Sequence, residues 1–194
     1  MSTPEARSAV LARIRAALTD RPTSPIPRDY RRPGTRGPGD LTRFAEVLRD
    51  YRAQVHLTDN VPAAIAATGR DLRAAPGCPP EWGGRRGTPS IEDLDRCDGV
   101  ITACHTAIAD TGTIVLDHAA PDQGPRAFTL VPDYHLVVVR ADQIVAGVPD
   151  AVAALAGVAT QTWISGPSAT SDIELERVEG VHGPRTLEVV IETG

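Results

Sequence analysis

The stretch that decides the fold runs from residue 100 to residue 116 and reads V-I-T-A-C-H-T-A-I-A-D-T-G-T-I-V-L. Apolar and β-branched residues fill both of its ends, and the segment A-D-T-G-T at 109–113 interrupts them. Apolar runs of this length, bounded by Gly or Asp, are typical of buried strands. The stretch therefore predicts a strand over 100–108, a tight connection, and a second strand over 113–116.

Further segments of the same composition extend the predicted sheet, at 135–140, 161–164 and 187–191. Several of them are apolar at consecutive positions, which is typical of parallel strands that are buried on both faces. Helical periodicity separates some of them, notably at 149–155, and Ser90 with Asp93 forms a capping box for a short helix. We therefore predict an α/β fold in which a mostly parallel sheet is covered by helices.

The beginning of the chain differs from the rest in composition. An apolar stripe on one helical face predicts an amphipathic helix in residues 1–20. Residues 21–40 hold five prolines and five arginines, a composition that favours an extended linker and leaves an anion-binding arm as an alternative. Helical periodicity resumes at Leu41, so we predict that the α/β domain covers residues 41–194.

Composition and charge argue against several classes of function. The formal net charge of -5 gives no general attraction to nucleic acid or to anionic membranes. All 20 basic residues are arginine, so no lysine can form a Schiff base or contact a phosphate in a P-loop. The three cysteines and the histidines lack the spacing of metal or iron-sulfur ligands. We predict no metal and no cofactor.

Hydropathy gives an expectation about location. The sequence has no apolar run of signal-peptide type and none of membrane-spanning length. We therefore expect a cytoplasmic protein with no membrane partner. Self-association remains open.

The first candidate site is the connection at 109–113, where Asp110, Thr111, Gly112 and Thr113 lie beside two predicted strands. Glycine permits a positive φ, so successive backbone N–H groups can converge on a carboxylate or a phosphate. Asp110 could then act on the bound ligand as a catalytic residue. A simple tight turn has the same composition and is the alternative.

The second candidate site is W-I-S-G-P-S-A-T-S-D-I-E at 163–174, which predicts a strand, a loop of small residues and a helix start. Ser171 with Glu174 forms a capping box. A loop at the carboxyl end of a strand in an open α/β sheet is a usual place for an anionic ligand. The predicted ligand-binding residues here are Ser165, Gly166, Ser168, Thr170 and Asp172.

A third segment, G-V-H-G-P-R at 180–185, precedes the last predicted strand and should return to the same sheet edge. His182 can titrate near neutrality, which suits a catalytic group, and Arg185 can pair with a carboxylate through two hydrogen bonds. A turn fixed by two glycines and a proline is the alternative.

These segments together resemble a known family. A-D-T-G-T, then S-G-P-S-A-T-S-D-I-E, then G-V-H-G-P occur in this order, each beside a strand, and R-A-F-T-L-V-P-D-Y-H-L lies between the first two. The combination resembles the lactate-utilisation protein C family, the LUD-domain group, from about Leu41 to the C-terminus. Arg126 and His135 in R-A-F-T-L-V-P-D-Y-H-L match its R and L/V-P-x-x-H pattern and become ligand-binding candidates. Asp110 stands where that family more often has glutamate.

The resemblance implies a NagB/RpiA/CoA transferase-like fold, related to ribose-5-phosphate isomerase, glucosamine-phosphate deaminase and CoA transferases. It also implies a part in oxidising L-lactate to pyruvate, as a non-redox subunit beside iron-sulfur lactate-utilisation subunits. The expected ligand is a small carboxylate or phosphate. A stand-alone isomerase or CoA-transferase-like enzyme and a carboxylate-sensing module are the alternatives.

Overall fold

The two strands predicted within residues 100–116 prove to be three, and they lie in two sheets. The computed structural model describes residues 3–19, 25–170, 178–179 and 183–194. Its α-helices are α1 (Pro4–Leu18), α2 (Leu41–Asp50), α3 (Val61–Ala67), α4 (Ile91–Arg96), α5 (Arg126–Leu130) and α6 (Val148–Ala154). Its strands are β1 (Gln54–Thr58), β2 (Arg73–Ala74), β3 (Val100–Thr102), β4 (Thr106–Ile108), β5 (Thr113–Asp117), β6 (Tyr134–Arg140), β7 (Ile144–Val145), β8 (Gln161–Ile164), β9 (Ala169–Thr170), β10 (Val178–Glu179) and β11 (Thr186–Glu192).

The chain divides into two units, Met1–Tyr30 and Arg31–Gly194. In the first unit α1 has Thr3 as its N-cap, and the Thr3 hydroxyl accepts a hydrogen bond from the Ala6 N–H at 3.3 Å. Pro4 stands at the first helical position, where its missing N–H costs nothing. None of the helix residues is buried, and Val10, Ile14 and Leu18 are each about half exposed.

The second unit begins at Arg31, ten residues before the domain boundary that the sequence predicts. Residues 31–40, which we call the strap, pair with the domain through their backbone. Pro38 forms an antiparallel bridge with Val145, and the Gly39 N–H donates to the Ile144 carbonyl at 2.9 Å. The strap thus belongs to the same compact unit as residues 41–194, through main-chain pairing that the apolar pattern of the sequence does not reveal.

The central sheet is parallel, with the strand order β1-β11-β6-β3-β2. Its long central strands pair along their whole length, from Thr186 opposite Tyr134 to Glu192 opposite Arg140. This sheet confirms the predicted α/β class with a mostly parallel sheet.

A second sheet has the order β7-β4-β5-β8 and is mixed, since β4 pairs antiparallel with β5 and β5 antiparallel with β8, while β4 and β7 are parallel. The predicted single strand at 100–108 is therefore wrong. The backbone changes partner after Thr102: the Ala103 N–H donates to the Asp122 carbonyl and the His105 N–H to the Val115 carbonyl. The sequence gives no sign of this change of sheet, because the residues of β3 and of β4 are buried alike.

The parallel sheet buries both of its faces, each against a different layer. One face packs on α2 and on the second sheet, in a cluster that includes Phe44, Leu48, Ala107, Ile114, Leu116, Val137, Val139, Val189 and Ile191. The other face packs on α3, α4 and α5, in a cluster that includes Ile65, Leu94, Phe128, Leu136, Val138 and Val190. The alternation of 136 and 138 with 137 and 139 is the period of two that a strand imposes.

Side-chain caps mark the starts of α3 and α4. The Asn60 side chain accepts from the Ala63 N–H at 3.1 Å at the start of α3. Ser90 and Asp93 exchange two hydrogen bonds of 3.1 Å each and so complete the predicted capping box of α4. The capping box predicted for Ser171 and Glu174 lies outside the described residues.

Candidate functional site

A cavity of about 290 Å³ lies between the two sheets and α5. Its walls come from α5, from β8 with residues 165–168, from residues 183–184, and from the first residues of β6 and β11. The loop after β8 does follow the carboxyl end of its strand, but β8 belongs to the second sheet. The parallel strands β6 and β11 meet the cavity at their amino ends. The cavity therefore does not lie at the carboxyl ends of the parallel strands, where ligands of open α/β sheets usually bind.

Arg126 supplies the positive charge of the cavity. It is the first residue of α5, its side chain is exposed, and among the described residues no carboxylate lies within salt-bridge distance of it. The described lining contains no aspartate and no glutamate. An anion that enters the cavity therefore meets an arginine whose charge is not already neutralised by a described carboxylate.

His135, the second residue of β6, is fully buried and also lines the cavity. Its Nε2 lies 2.8 Å from the Thr102 hydroxyl, whereas its Nδ1 is buried and has no hydrogen-bond partner among the described residues. Burial lowers the pKa of His135 to about 3, so the imidazole is neutral at physiological pH. A buried polar atom without a partner is costly unless a ligand or water completes it.

Three hydroxyl groups connect the two predicted loops. The Thr111 and Thr113 hydroxyls lie 2.7 Å apart, and the Thr113 and Ser165 hydroxyls 2.8 Å apart. Ser165 lines the cavity, whereas Thr111 and Thr113 are not among its lining residues. These contacts place the two loops side by side, and of the two only the second lines the cavity.

The glycines of both loops pack against α2. Gly112 has a φ of +59°, and a Cβ there would lie 2.8 Å from Val47 Cγ1. Gly166 has a φ of +86°, and a Cβ there would lie 2.7 Å from Tyr51 Cβ. Their observed role is thus close packing in a left-handed conformation, in addition to the permissive backbone that the sequence indicates.

Asp110 lies outside the cavity lining and pairs with the strap. Its carboxylate accepts two hydrogen bonds from the Arg36 guanidinium, one of them 3.0 Å long, and Arg31 lies 3.9 Å away. The hydrogen bond from Arg36 holds the pKa of Asp110 below its usual value. A carboxylate held in this way is a weaker proton acceptor than a free one.

Arg185 also has a partner within the chain. Its Nε donates to Asp133 Oδ1 at 3.0 Å, and its Nη2 donates to Asp133 Oδ2. The Ser168 N–H donates to the Pro184 carbonyl at 2.8 Å, which joins two walls of the cavity. Arg185 is thus placed beside the cavity and is engaged with the turn that precedes β6.

The predicted site residues fall into three groups. Five line the cavity: Arg126, His135, Ser165, Gly166 and Ser168. Five lie outside its described lining: Asp110, Thr111, Gly112, Thr113 and Arg185. The backbone of Thr170 lies in β9, while Asp172 and His182 lie outside the described residues.

Sequence reasoning missed three polar residues of this site. Thr129 and Thr162 line the cavity, and Thr102 forms a hydrogen bond with His135. Thr129 stands three residues after Arg126 in the same helix, a spacing that places both on one face and was available as a signal. Thr102 had no such signal, because its pairing with His135 depends on the register of β3 against β6.

The described part of the chain holds neither a metal cluster nor a membrane span. Among these residues, no group of three or more His, Cys, Asp or Glu side chains could hold a metal ion. No helix among them is long and apolar enough to cross a membrane. The chemistry of the cavity suits a small anion. Arg126 at the start of α5 supplies a cation, β8 and the loop after it supply hydroxyl groups, and His135 supplies a neutral imidazole.

The fold defines an α/β protein built on a mostly parallel sheet, and comparison with known proteins gives its family. The LUD-domain family model matches residues 89–191. A lactate utilization protein C from Deinococcus radiodurans is 42% identical over 207 residues, which cover 98% of this chain and 97% of the relative. A lactate utilization protein C from Bacillus subtilis is 31% identical over 112 residues, which cover 54% of this chain and 46% of that protein.

A solved structure agrees with these matches. The crystal structure of a DUF162 family protein from Deinococcus radiodurans superposes with a TM-score of 0.66 and 38% sequence identity, covering 78% of this chain and 94% of that chain. The chain belongs to the LUD-domain family, as its sequence motifs indicate.

Proposed function

We propose that this protein takes part in lactate utilisation and binds a small carboxylate in the cavity between α5, β8 and β6. The relatives named lactate utilization protein C support the first part. One observation supports the second: Arg126 faces a cavity that has no described carboxylate of its own. Such a cation in a wall of hydroxyls is suited to an anion, because charge-assisted hydrogen bonds are the strongest that the side chains can form.

The size of the cavity favours a small ligand. Its volume of about 290 Å³ lies just below the range of about 300–1,000 Å³ that is typical of sites for drug-sized molecules. A short carboxylic acid of the lactate and pyruvate type fits this volume. The apolar part of such a ligand has Leu130, Trp163 and Leu187 to contact.

We further propose that the protein is a non-redox, cytoplasmic subunit of a lactate-oxidising system in which iron-sulfur partners carry the electrons. Cys78 and Cys104 are buried, and burial raises their pKa values to about 11 and about 12. Neutral thiols held in the core are poor metal ligands, because a thiolate is the ligand form. Purification of the native complex, with iron analysis of the co-purified subunits, tests this part.

The Arg126→Gln variant should lose carboxylate affinity. A hydrogen bond to a charged group contributes about 1.5–3 kcal/mol, so the Kd for L-lactate or pyruvate should rise by about tenfold or more. Isothermal titration calorimetry measures this change. The matched control is Arg96→Gln, which removes the same charge from the exposed end of α4. Equal affinities of Arg126→Gln and wild type would contradict the proposed site.

Growth tests the biological part of the proposal. A strain whose growth on L-lactate depends on this protein should grow poorly with Arg126→Gln and normally with Arg96→Gln. Normal growth with Arg126→Gln, at equal protein levels, would mean that the cavity is not needed for lactate utilisation.

Asp110 and His182 remain predicted catalytic residues, and Thr170 and Asp172 remain predicted ligand contacts. The stand-alone enzyme and the carboxylate-sensing module remain alternatives. Turnover of a carboxylate or CoA ester by the isolated chain would favour the enzyme, and saturable binding without turnover or partners would favour the sensor. Asp110→Asn and His182→Gln, assayed for turnover and binding, test whether either side chain is required.

A further inference from the structure

We infer that Thr102 is a positioning residue that holds His135 in the tautomer with hydrogen on Nδ1, so that the floor of the cavity is a neutral hydrogen-bond donor. This inference deepens the proposed function, since it rests on the same cavity. It specifies the ligand as a small carboxylate with a second oxygen that accepts a hydrogen bond, such as a 2-oxo or 2-hydroxy acid. A plain fatty acid lacks that oxygen.

The inference is based on the burial and hydrogen bonding of Thr102 and His135. Thr102, at the end of β3, is fully buried, and so is His135 on the neighbouring strand β6. The Thr102 hydroxyl lies 2.8 Å from His135 Nε2. Among the described residues, that nitrogen is the only hydrogen-bond partner of the hydroxyl. The other ring nitrogen, Nδ1, has none there and belongs to a side chain that lines the cavity.

The number of hydrogens shared by His135 and Thr102 distinguishes the Nδ1–H tautomer from the Nε2–H tautomer. A neutral imidazole carries one N–H, and a threonine hydroxyl can both donate and accept. If Nε2 carried the hydrogen, it would donate to Thr102, and the hydroxyl hydrogen of Thr102 would be buried without a described acceptor. If Nδ1 carries it, Thr102 donates to Nε2 and only the Nδ1–H remains to be paired. Because an unpaired buried polar group is costly, the second arrangement is favoured.

The electrostatic environment agrees with a neutral ring. Burial lowers the pKa of His135 to about 3, and no acidic side chain is present in the described lining to oppose this. The donor at the floor therefore stays the same across the physiological pH range. Arg126 can hold the carboxylate while the Nδ1–H meets a second oxygen of the same ligand.

The ligand specificity follows from the direction of this hydrogen bond. A keto oxygen accepts from the Nδ1–H, and so does a hydroxyl oxygen, whereas the methylene of propionate leaves the donor unpaired. A site built to bond a ligand oxygen discriminates against the analogue that lacks it, because its own polar group is then left buried. Propionate matches pyruvate in size and charge and is the probe for this difference.

The first experiment reads the tautomer directly in the ligand-free protein. Long-range ¹H–¹⁵N correlation spectra of the full chain at about pH 8 assign the hydrogen of a neutral histidine to one ring nitrogen. We expect His135 to carry it on Nδ1. His118 serves as an internal reference, because its Nδ1 lies 2.9 Å from the Gly124 carbonyl, an acceptor that requires a donor opposite. A hydrogen found on Nε2 of His135 would overturn the inference.

The second experiment changes the positioning residue. Thr102→Val keeps the shape and removes the hydroxyl, whereas Thr102→Ser keeps the hydroxyl. With valine, nothing holds the hydrogen on Nδ1, so the Nε2–H tautomer should become populated in the same spectra. With serine, the spectrum should stay like that of the wild type. A wild-type tautomer in Thr102→Val would mean that the hydroxyl does not set it.

Binding then tests the specificity, with pyruvate, L-lactate and propionate as probes. Wild type and Thr102→Ser should bind pyruvate and L-lactate about three- to tenfold more tightly than propionate, and Thr102→Val should lose most of this preference. Equal binding of the three probes by wild type would overturn the specificity. If none binds, the proposed carboxylate site fails, whereas the tautomer is still decided by the spectra.

Discussion

The free energy of unfolding of the wild-type protein should fall by about 2 kcal/mol more than that of His135→Gln between about pH 7.5 and about pH 5. The cause is the buried, neutral imidazole of His135, whose pKa is lowered from 6.5 to about 3 by desolvation. In the unfolded chain the same ring is exposed and binds a proton near its ordinary pKa.

The direction of this pH dependence follows from the number of protons that each state binds. Between about pH 3 and about pH 6.5 the unfolded state binds one more proton at this residue than the folded state, so acid favours unfolding. The loss begins as the pH falls through 6.5 and approaches about 1.4 kcal/mol per pH unit below it. Below the folded-state pKa of about 3 the loss from this group levels off.

Urea unfolding curves at several pH values, compared between the two proteins, measure this effect. His105→Gln is the control, because His105 lies at a partly exposed position and its Nε2 bonds the Ala154 carbonyl at 3.1 Å. The difference in pH dependence between His135→Gln and His105→Gln then measures the effect of the buried ring apart from that of the His→Gln exchange itself. If His135→Gln shows the same pH dependence as the wild type, then the buried ring either takes up a proton in the folded state or is not responsible for acid sensitivity.

Gly166→Ala should destabilise the protein by about 2–5 kcal/mol, from two causes that can be separated. An L-residue in the left-handed region costs about 1–2 kcal/mol, and a forced contact in a packed site adds about 1–3 kcal/mol. The φ of Gly166 is +86°, and the new Cβ would lie 2.7 Å from Tyr51 Cβ, an atom close to the α2 backbone that cannot easily move away.

Gly157→Ala is the matched control, because Gly157 has a φ of +90° and a Cβ added there would have no atom within 4 Å. It carries the conformational cost without the contact. Thermal or urea unfolding should place Gly157→Ala between the wild type and Gly166→Ala. Equal losses in the two variants would show that the packing of the loop on α2 contributes nothing beyond its backbone conformation.

The elements that the sequence predicts well are those with strong local signals. Pro4, Asn60 and Ser90 mark the starts of α1, α3 and α4, and each start is observed within a residue of its signal. The strand at 161–164 has the predicted bounds, because a glycine and a proline closely follow it. These signals lie within a few residues of the feature that they predict.

Features that depend on distant partners could not be predicted in the same way. The division of 100–108 into β3 and β4 depends on which sheet each half joins, and both halves are equally apolar. Five of the residues selected from the sequence motifs, including Arg126 and His135, line one cavity. The engagement of Asp110 by Arg36, 74 positions earlier in the chain, left no trace in the pattern of either segment.

The strap has a consequence for the behaviour of the protein in concentrated solution. β7 is an edge strand of the second sheet, and the strap covers it through Pro38 and the Gly39 N–H. A chain shortened to begin at residue 41 would expose the Ile144 carbonyl and the edge of β7 to other molecules. Open strand edges pair between copies and lead to aggregation, and proline is a residue that natural proteins use to prevent it. We therefore expect this proline-rich segment, whose composition indicates a linker, to limit self-assembly as well.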